Sequence, residues 1–171
     1  MRLSKLTIFI GLYIILSASF AQQLWSFAGR LLGKTPLLAI VAFFFIALAL
    51  FITYKSIRER IGLLRILILL GVCALAFTFA WRQPYMAEKT HILEYGILAW
   101  MALRDLDKNK KGVLKSAILA FIFAALVGVV DEAFQKLLPW RVFEVRDMLT
   151  NALSAALGIA VYLSGRKARL T

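Results

Sequence analysis

The chain is poor in the residues that build compact soluble sites. Its 171 residues hold one cysteine, one histidine, three prolines and nine acids. A lone Cys73 excludes an intramolecular disulfide and a cysteine-ligated metal centre, and its place in an apolar run marks it as a buried, inert thiol. There is no Gly-rich phosphate loop, no low-complexity segment and no internal repeat, so nothing points to a nucleotide or another cofactor. No apolar run is broken by Gly or Pro at its middle, which argues against a carrier.

Apolar residues are abundant, at 62% of the chain. A soluble domain cannot hide that much hydrophobic surface, so the composition indicates a polytopic membrane protein. The net charge of +12 could suggest nucleic acid, but the basic residues fall in short loops between apolar stretches, which is a membrane pattern; no nucleic-acid partner is expected.

A helix needs about 20 residues to cross the hydrocarbon core. Six segments qualify: residues 6–28, 36–54, 61–81, 86–103, 113–135 and 145–163. The expected fold is an all-α transmembrane bundle of about six helices. It divides into two N-terminal helices (1–60), a four-helix unit (61–165) and a basic tail (166–171). Residues 1–21 also look like a signal peptide, with Ser19-Phe20-Ala21 before Gln22. The apolar character runs on through Trp25, Phe27 and Leu31, which favours a retained helix.

Charge sets the expected orientation. With the N-terminus inside, Arg2, Lys5, Lys55, Arg58, Arg60, Arg65, Arg104, Lys108, Lys110, Lys111, Lys115, Arg166, Lys167 and Arg169 lie inside, 14 of the 21 basic residues. This asymmetry favours both termini in the cytoplasm. Only Glu59, Asp105 and Asp107 of the nine acids join them. The opposite face is chemically mixed and holds the only histidine. Trp25, Trp81, Tyr85 and Trp140 would form an aromatic belt there, and the 104–115 run reads as a solvated inner loop.

Four polar clusters sit at that outer face, on helix ends that should be apolar. Ionisable groups at membrane depth are costly and by default mark function. His91, Glu94 and Tyr95 stand at i, i+3 and i+4 and share a helix face. Asp131, Glu132 and Gln135 end the fifth segment. Pro139 stops that helix, and Arg141 follows. Asp147 and Asn151 open the sixth, whose face continues through the small residues Ser154, Ala155 and Gly158, suited to close helix packing.

Three functional readings follow. A binding pocket would recognise an envelope amphiphile through Glu94, Tyr95, Asp131, Gln135, Arg141 and Asn151, with Arg141 and Lys136 meeting an anionic head group. An acid–base enzyme would use Glu132 or Asp147 as general base and His91 as proton partner. A purely structural reading would have the same groups hold helices together. A metal site from His91, Glu94, Glu132 and Asp147 is chemically conceivable, but only His91 and Glu94 have a local ligand spacing, and no metal is expected.

At these residues the chain resembles the VanZ-like family. That family shows a His with an acid-Tyr pair one turn later, a Glu-x-x-Gln, a Pro-Gly-Arg and an Asp-x-x-x-Asn with glycines after it. The matching residues are His91, Glu94 and Tyr95; Glu132 and Gln135, with Asp131 beside them; Pro139 and Arg141; and Asp147, Asn151 and Gly158. Trp140 replaces the usual Gly between Pro and Arg, which bears on the turn rather than the chemistry, and Ser154 stands where Gly is common. The motifs cover residues 61–163. The resemblance implies a multi-pass protein of the bacterial inner membrane, with membrane lipids or lipid-linked envelope molecules as partners. The family takes its name from a low-level teicoplanin-resistance protein.

Overall fold

The computed structural model describes residues 2–108, 112–139 and 144–166. Among these it is all-helical, with seven helices: α1 (Lys5–Ser17), α2 (Ala21–Leu32), α3 (Lys34–Arg58), α4 (Leu63–Arg82), α5 (Met86–Asp107), α6 (Val113–Lys136) and α7 (Val145–Gly165). α3, α4, α6 and α7 are each long and apolar enough to cross a membrane, and the bent pair α1–α2 makes a fifth candidate. The protein is a multi-pass membrane helix bundle.

Two differences from the sequence expectation matter. The first expected segment, residues 6–28, is not one helix. It breaks at residues 18–20 and bends by 68°. Ser17 and Ser19 turn their hydroxyls onto the carbonyls of Ile14 and Leu16, at 2.8 and 2.7 Å, and the amides of Ser19 and Phe20 close onto Leu16 and Ser17. The backbone groups at this helix end are thus satisfied locally, so the chain can turn without orphaned carbonyls. Second, α5 is absent from the helices apolar enough to span alone. Its charged residues need no lipid contact, because α5 packs against all six other helices.

Small residues set the tightest contact. Gly96 of α5 and Gly158 of α7 meet so closely that a Cβ on Gly158 would collide with the Gly96 backbone. Around this seam Tyr95, Leu98, Ala99, Ala102 and Leu103 of α5 pack on Ala120 and Ala124 of α6, Ala155 of α7 and Ile14 of α1. In lipid, where no hydrophobic effect separates helix from tail, such close backbone approach is what dispersion rewards.

The far end of the bundle is tied by carboxylates at the end of α5. Asp105 accepts hydrogen bonds from the Ser4 amide at 2.9 Å and the Thr7 hydroxyl at 2.6 Å. Asp107 accepts from Tyr162 at 3.0 Å and pairs with Arg166 at 3.0 Å, while Arg65 donates to the Arg166 carbonyl at 2.8 Å. Asp105 and Asp107 are therefore buried anchors, not part of a solvated loop. Residues 2–5 and 166 share this end, opposite the polar clusters.

Candidate functional site

Three helix ends meet at the polar end of the bundle: the starts of α5 and α7 and the finish of α6. Proline and extended backbone delimit them. Pro84 and the extended Tyr85 precede α5, Pro139 follows α6, and the extended Glu144 precedes α7.

The site residues fall into two groups. The first is a buried polar layer between α5, α6 and α7. Tyr95 donates to Asp131 at 2.9 Å, and neither exposes any surface. Glu132, also buried, accepts the Glu144 amide at 3.3 Å. That bond joins the end of α6 to the start of α7. Gln135 and Asn151 are buried in the same layer, and Asn151 lies where a Cβ on Gly128 would approach within 3.2 Å of it. The Asn151 side-chain oxygen is buried with no hydrogen-bond partner among the described residues. Burying such an atom costs about 1–3 kcal/mol.

The second group lines a cavity of about 500 Å³. His91 and Asp147 face it, together with Glu88, Glu144 and Lys34. Glu94 sits beside His91, with its carboxylate 3.1 Å from the imidazole Nδ1, and Tyr95 lies one turn behind, its ring 5.9 Å from the His91 ring. Glu132, which the enzyme reading would use as base, stands in the buried layer rather than in the cavity wall. Arg141 and Trp140 lie outside the described residues.

The wall that the sequence could not place is α2. Gln22, Trp25, Ser26 and Gly29 close the cavity opposite α5 and α7, with Leu37 of α3 beside them. Trp25 thus faces the cavity rather than serving simply in an outer belt.

Two cations escaped the motif reading. Arg146 contacts three carboxylates: Glu88 at 2.7 Å, Glu144 at 3.4 Å and Asp147 at 3.5 Å. It bridges α5 and α7 across the cavity rim. Lys89, almost wholly buried, donates to the carbonyls of Ala80 at 3.3 Å and Trp81 at 3.0 Å, and to that of Gln83. It thereby closes the C-terminal end of α4, where free carbonyls favour a cation. The i−1 neighbour of Lys89, Glu88, and the i+1 neighbour of Arg146, Asp147, were the available signal.

A second, apolar crevice of about 290 Å³ lies deeper, between α3, α4, α5 and α7. Val41, Phe45, Ala80 and Ile92 form a buried hydrophobic cluster, of which Phe45 and Ile92 also line this crevice. Leu37 lines the upper space and Phe45 the lower, two turns apart on α3. No group of three or more His, Cys, Asp or Glu side chains arranged for a metal ion occurs among the described residues.

The family model VanZ/LLP1 matches residues 6–166. No curated protein and no solved structure matches the chain. The family match covers nearly the whole chain, from α1 to α7, and so takes in the N-terminal helices that lie outside the motifs. The protein belongs to the VanZ/LLP1 family.

Proposed function

We propose that the protein binds a cell-envelope amphiphile in a bacterial inner membrane, with the polar cavity receiving the head group from the outer side. The observation that carries this reading is the cavity itself: a space of about 500 Å³ at one end of a membrane bundle, walled by Lys34, His91, Glu88, Glu144 and Asp147. Three carboxylates there stand against Arg146 and Lys34, so the charges nearly balance. A near-neutral wall suits a zwitterionic or sugar-bearing head, whose hydroxyl or amine donors meet carboxylates while Lys34 meets an anionic oxygen. The buried layer of Tyr95, Asp131, Glu132, Gln135 and Asn151 holds the wall rigid from behind. Arg141 remains a further proposed ligand, outside the described residues.

One observation favours a second reading. His91 and Asp147 face the same cavity, so a proton donor and a carboxylate could both reach a bound head group. An acid–base step on that head group would then use His91 and Asp147, with Glu132 in support. A contribution to teicoplanin tolerance is the cellular expectation that family membership suggests.

Mass spectrometry of lipid extracted from the purified protein tests the first reading. The wild type is expected to retain one lipid class, and Gly29→Phe, which fills the cavity from α2, to lose it. Equal lipid recovery from both proteins would sink the proposal. Incubation with envelope lipids separates the second reading: a new head-group product that vanishes in His91→Gln would establish catalysis. An unchanged teicoplanin susceptibility on expression or deletion would remove the resistance role.

A further inference from the structure

The 68° bend between α1 and α2 changes where α2 lies relative to the bundle. α1 runs antiparallel to α5: Ser4 and Thr7 meet Asp105, and Gly11 lies against Leu98. At about 1.5 Å per residue this register brings Ser17 level with roughly residue 92, beside the cavity. From there the 12 residues of α2 are about 18 Å long, but at 68° they advance only about 7 Å along α1's direction. The helix thus crosses the cavity end sideways instead of continuing a span.

Its side chains divide four ways around the helix. Gln22, Trp25, Ser26 and Gly29, spaced i, i+3, i+4 and i+7, form the face that lines the cavity. Leu24, Phe27 and Leu31 form the opposite face and are 57%, 57% and 71% exposed. Gln23 and Arg30, seven apart, lie exposed on the flank between them. No residue of α2 is buried. Ala21, Ala28 and Leu32, the last 48% exposed, fill the other flank and widen the apolar side. A helix with a broad apolar side and its polar residues confined to the cavity face and one flank lies in an interface plane rather than across a bilayer. Gly33, at φ +83°, supplies the left-handed turn that drops the chain directly into α3.

We propose that α2 is an interfacial helix whose Leu24, Phe27 and Leu31 face contacts the lipid surface, while its other face walls the polar cavity. Only α2 then separates the cavity from surrounding lipid on that side, so a head group passes beneath or beside it. The head-group route rests on the amphiphile reading; the placement of α2 does not.

Spin labels at positions 23, 24, 27, 30 and 31, each on a Cys73→Ala full-length protein in phosphatidylethanolamine/phosphatidylglycerol bilayers, test the placement. Labels replacing Leu24, Phe27 and Leu31 should be accessible to oxygen and lie within about 4 Å of one another in depth, the projection of seven residues at this tilt. Labels replacing Gln23 and Arg30 should be accessible to a water-soluble nickel complex. A depth change of about 10 Å from position 24 to 31, as for a helix along the bundle axis, would overturn the proposal. So would nickel access at all three apolar positions. Absence of a co-purified lipid would not alter these depths, so the two readings fail separately.

Discussion

Gly158 faces the sharpest steric limit of the chain's glycines. A methyl group there would strike the Gly96 backbone, which has no rotamer to yield. Gly158→Ala should push α7 off α5 and cost about 1–3 kcal/mol or more, as overpacking does. Thermal unfolding in detergent checks it, with Gly71→Ala as the comparison. Nothing lies within 4 Å of a Cβ at Gly71, so there the gain in helix propensity, about 0.5–1 kcal/mol, should dominate. Tyr95 faces a polar limit instead. Tyr95→Phe removes the hydroxyl that donates to Asp131 at 2.9 Å and leaves a fully buried acid short of a donor. The expected loss is about 1–3 kcal/mol, and the double variant Tyr95→Phe/Asp131→Leu should recover part of it, since removing both partners spares the unsatisfied group. If the double variant is less stable than Tyr95→Phe alone, the acid has a second structural role.

At the scale of elements, α5 organises the rest. Its first turn holds Lys89 on the last carbonyls of α4, and its last turn holds Asp105 on the first turn of α1. Lys89→Met keeps the stem but removes the charge. It should release the end of α4 at a cost of about 1.5–3 kcal/mol, the range for a hydrogen bond to a charged group. Hydrogen exchange should quicken in residues 78–85 and stay unchanged at the Asp105 end; uniform acceleration would mean global rather than local loosening. The helices most readable in the sequence are those that face lipid. Hydropathy marks α3, α4 and α6 within a few residues, because each must solve the same solvation problem along its whole length. It marks α1 and α2 wrongly as one segment, because Ser17, Ala18 and Ser19 break no apolar run, and a hydropathy average carries no direction. The polar spacing Gln22, Ser26, Arg30 was visible and signals a helix with sides. The polar clusters were legible as a candidate site, since buried charge needs a reason. Their division into a buried layer and a cavity wall was not, because Glu132 and Asp147 differ only in which neighbour covers them. Arg146 had a local signal in Glu144 and Asp147, but its bond to Glu88 on another helix was not legible in the sequence.

For the whole molecule, the distribution of charge over the architecture bears on orientation. The bundle separates its polar cavity from the end where residues 2–5, 58–65, 104–108 and 166 gather. Most of the described basic residues lie at or next to that second end. We propose on that ground that the cationic end stays cytoplasmic and the cavity faces outward. Lys89 is unsuited to test this, being buried against α4. Tyr85 is 63% exposed on the cavity rim, and Lys108 is exposed at the other end. In intact cells carrying Cys73→Ala protein, Tyr85→Cys should react with an impermeant maleimide, and Lys108→Cys should react only after the membrane is opened. The opposite pattern would turn the cavity to the cytoplasm, where its head-group partner would have to come from the inner leaflet. An amphiphile of the outer leaflet, and any direct encounter with an extracellular glycopeptide, would then be excluded on geometric grounds alone.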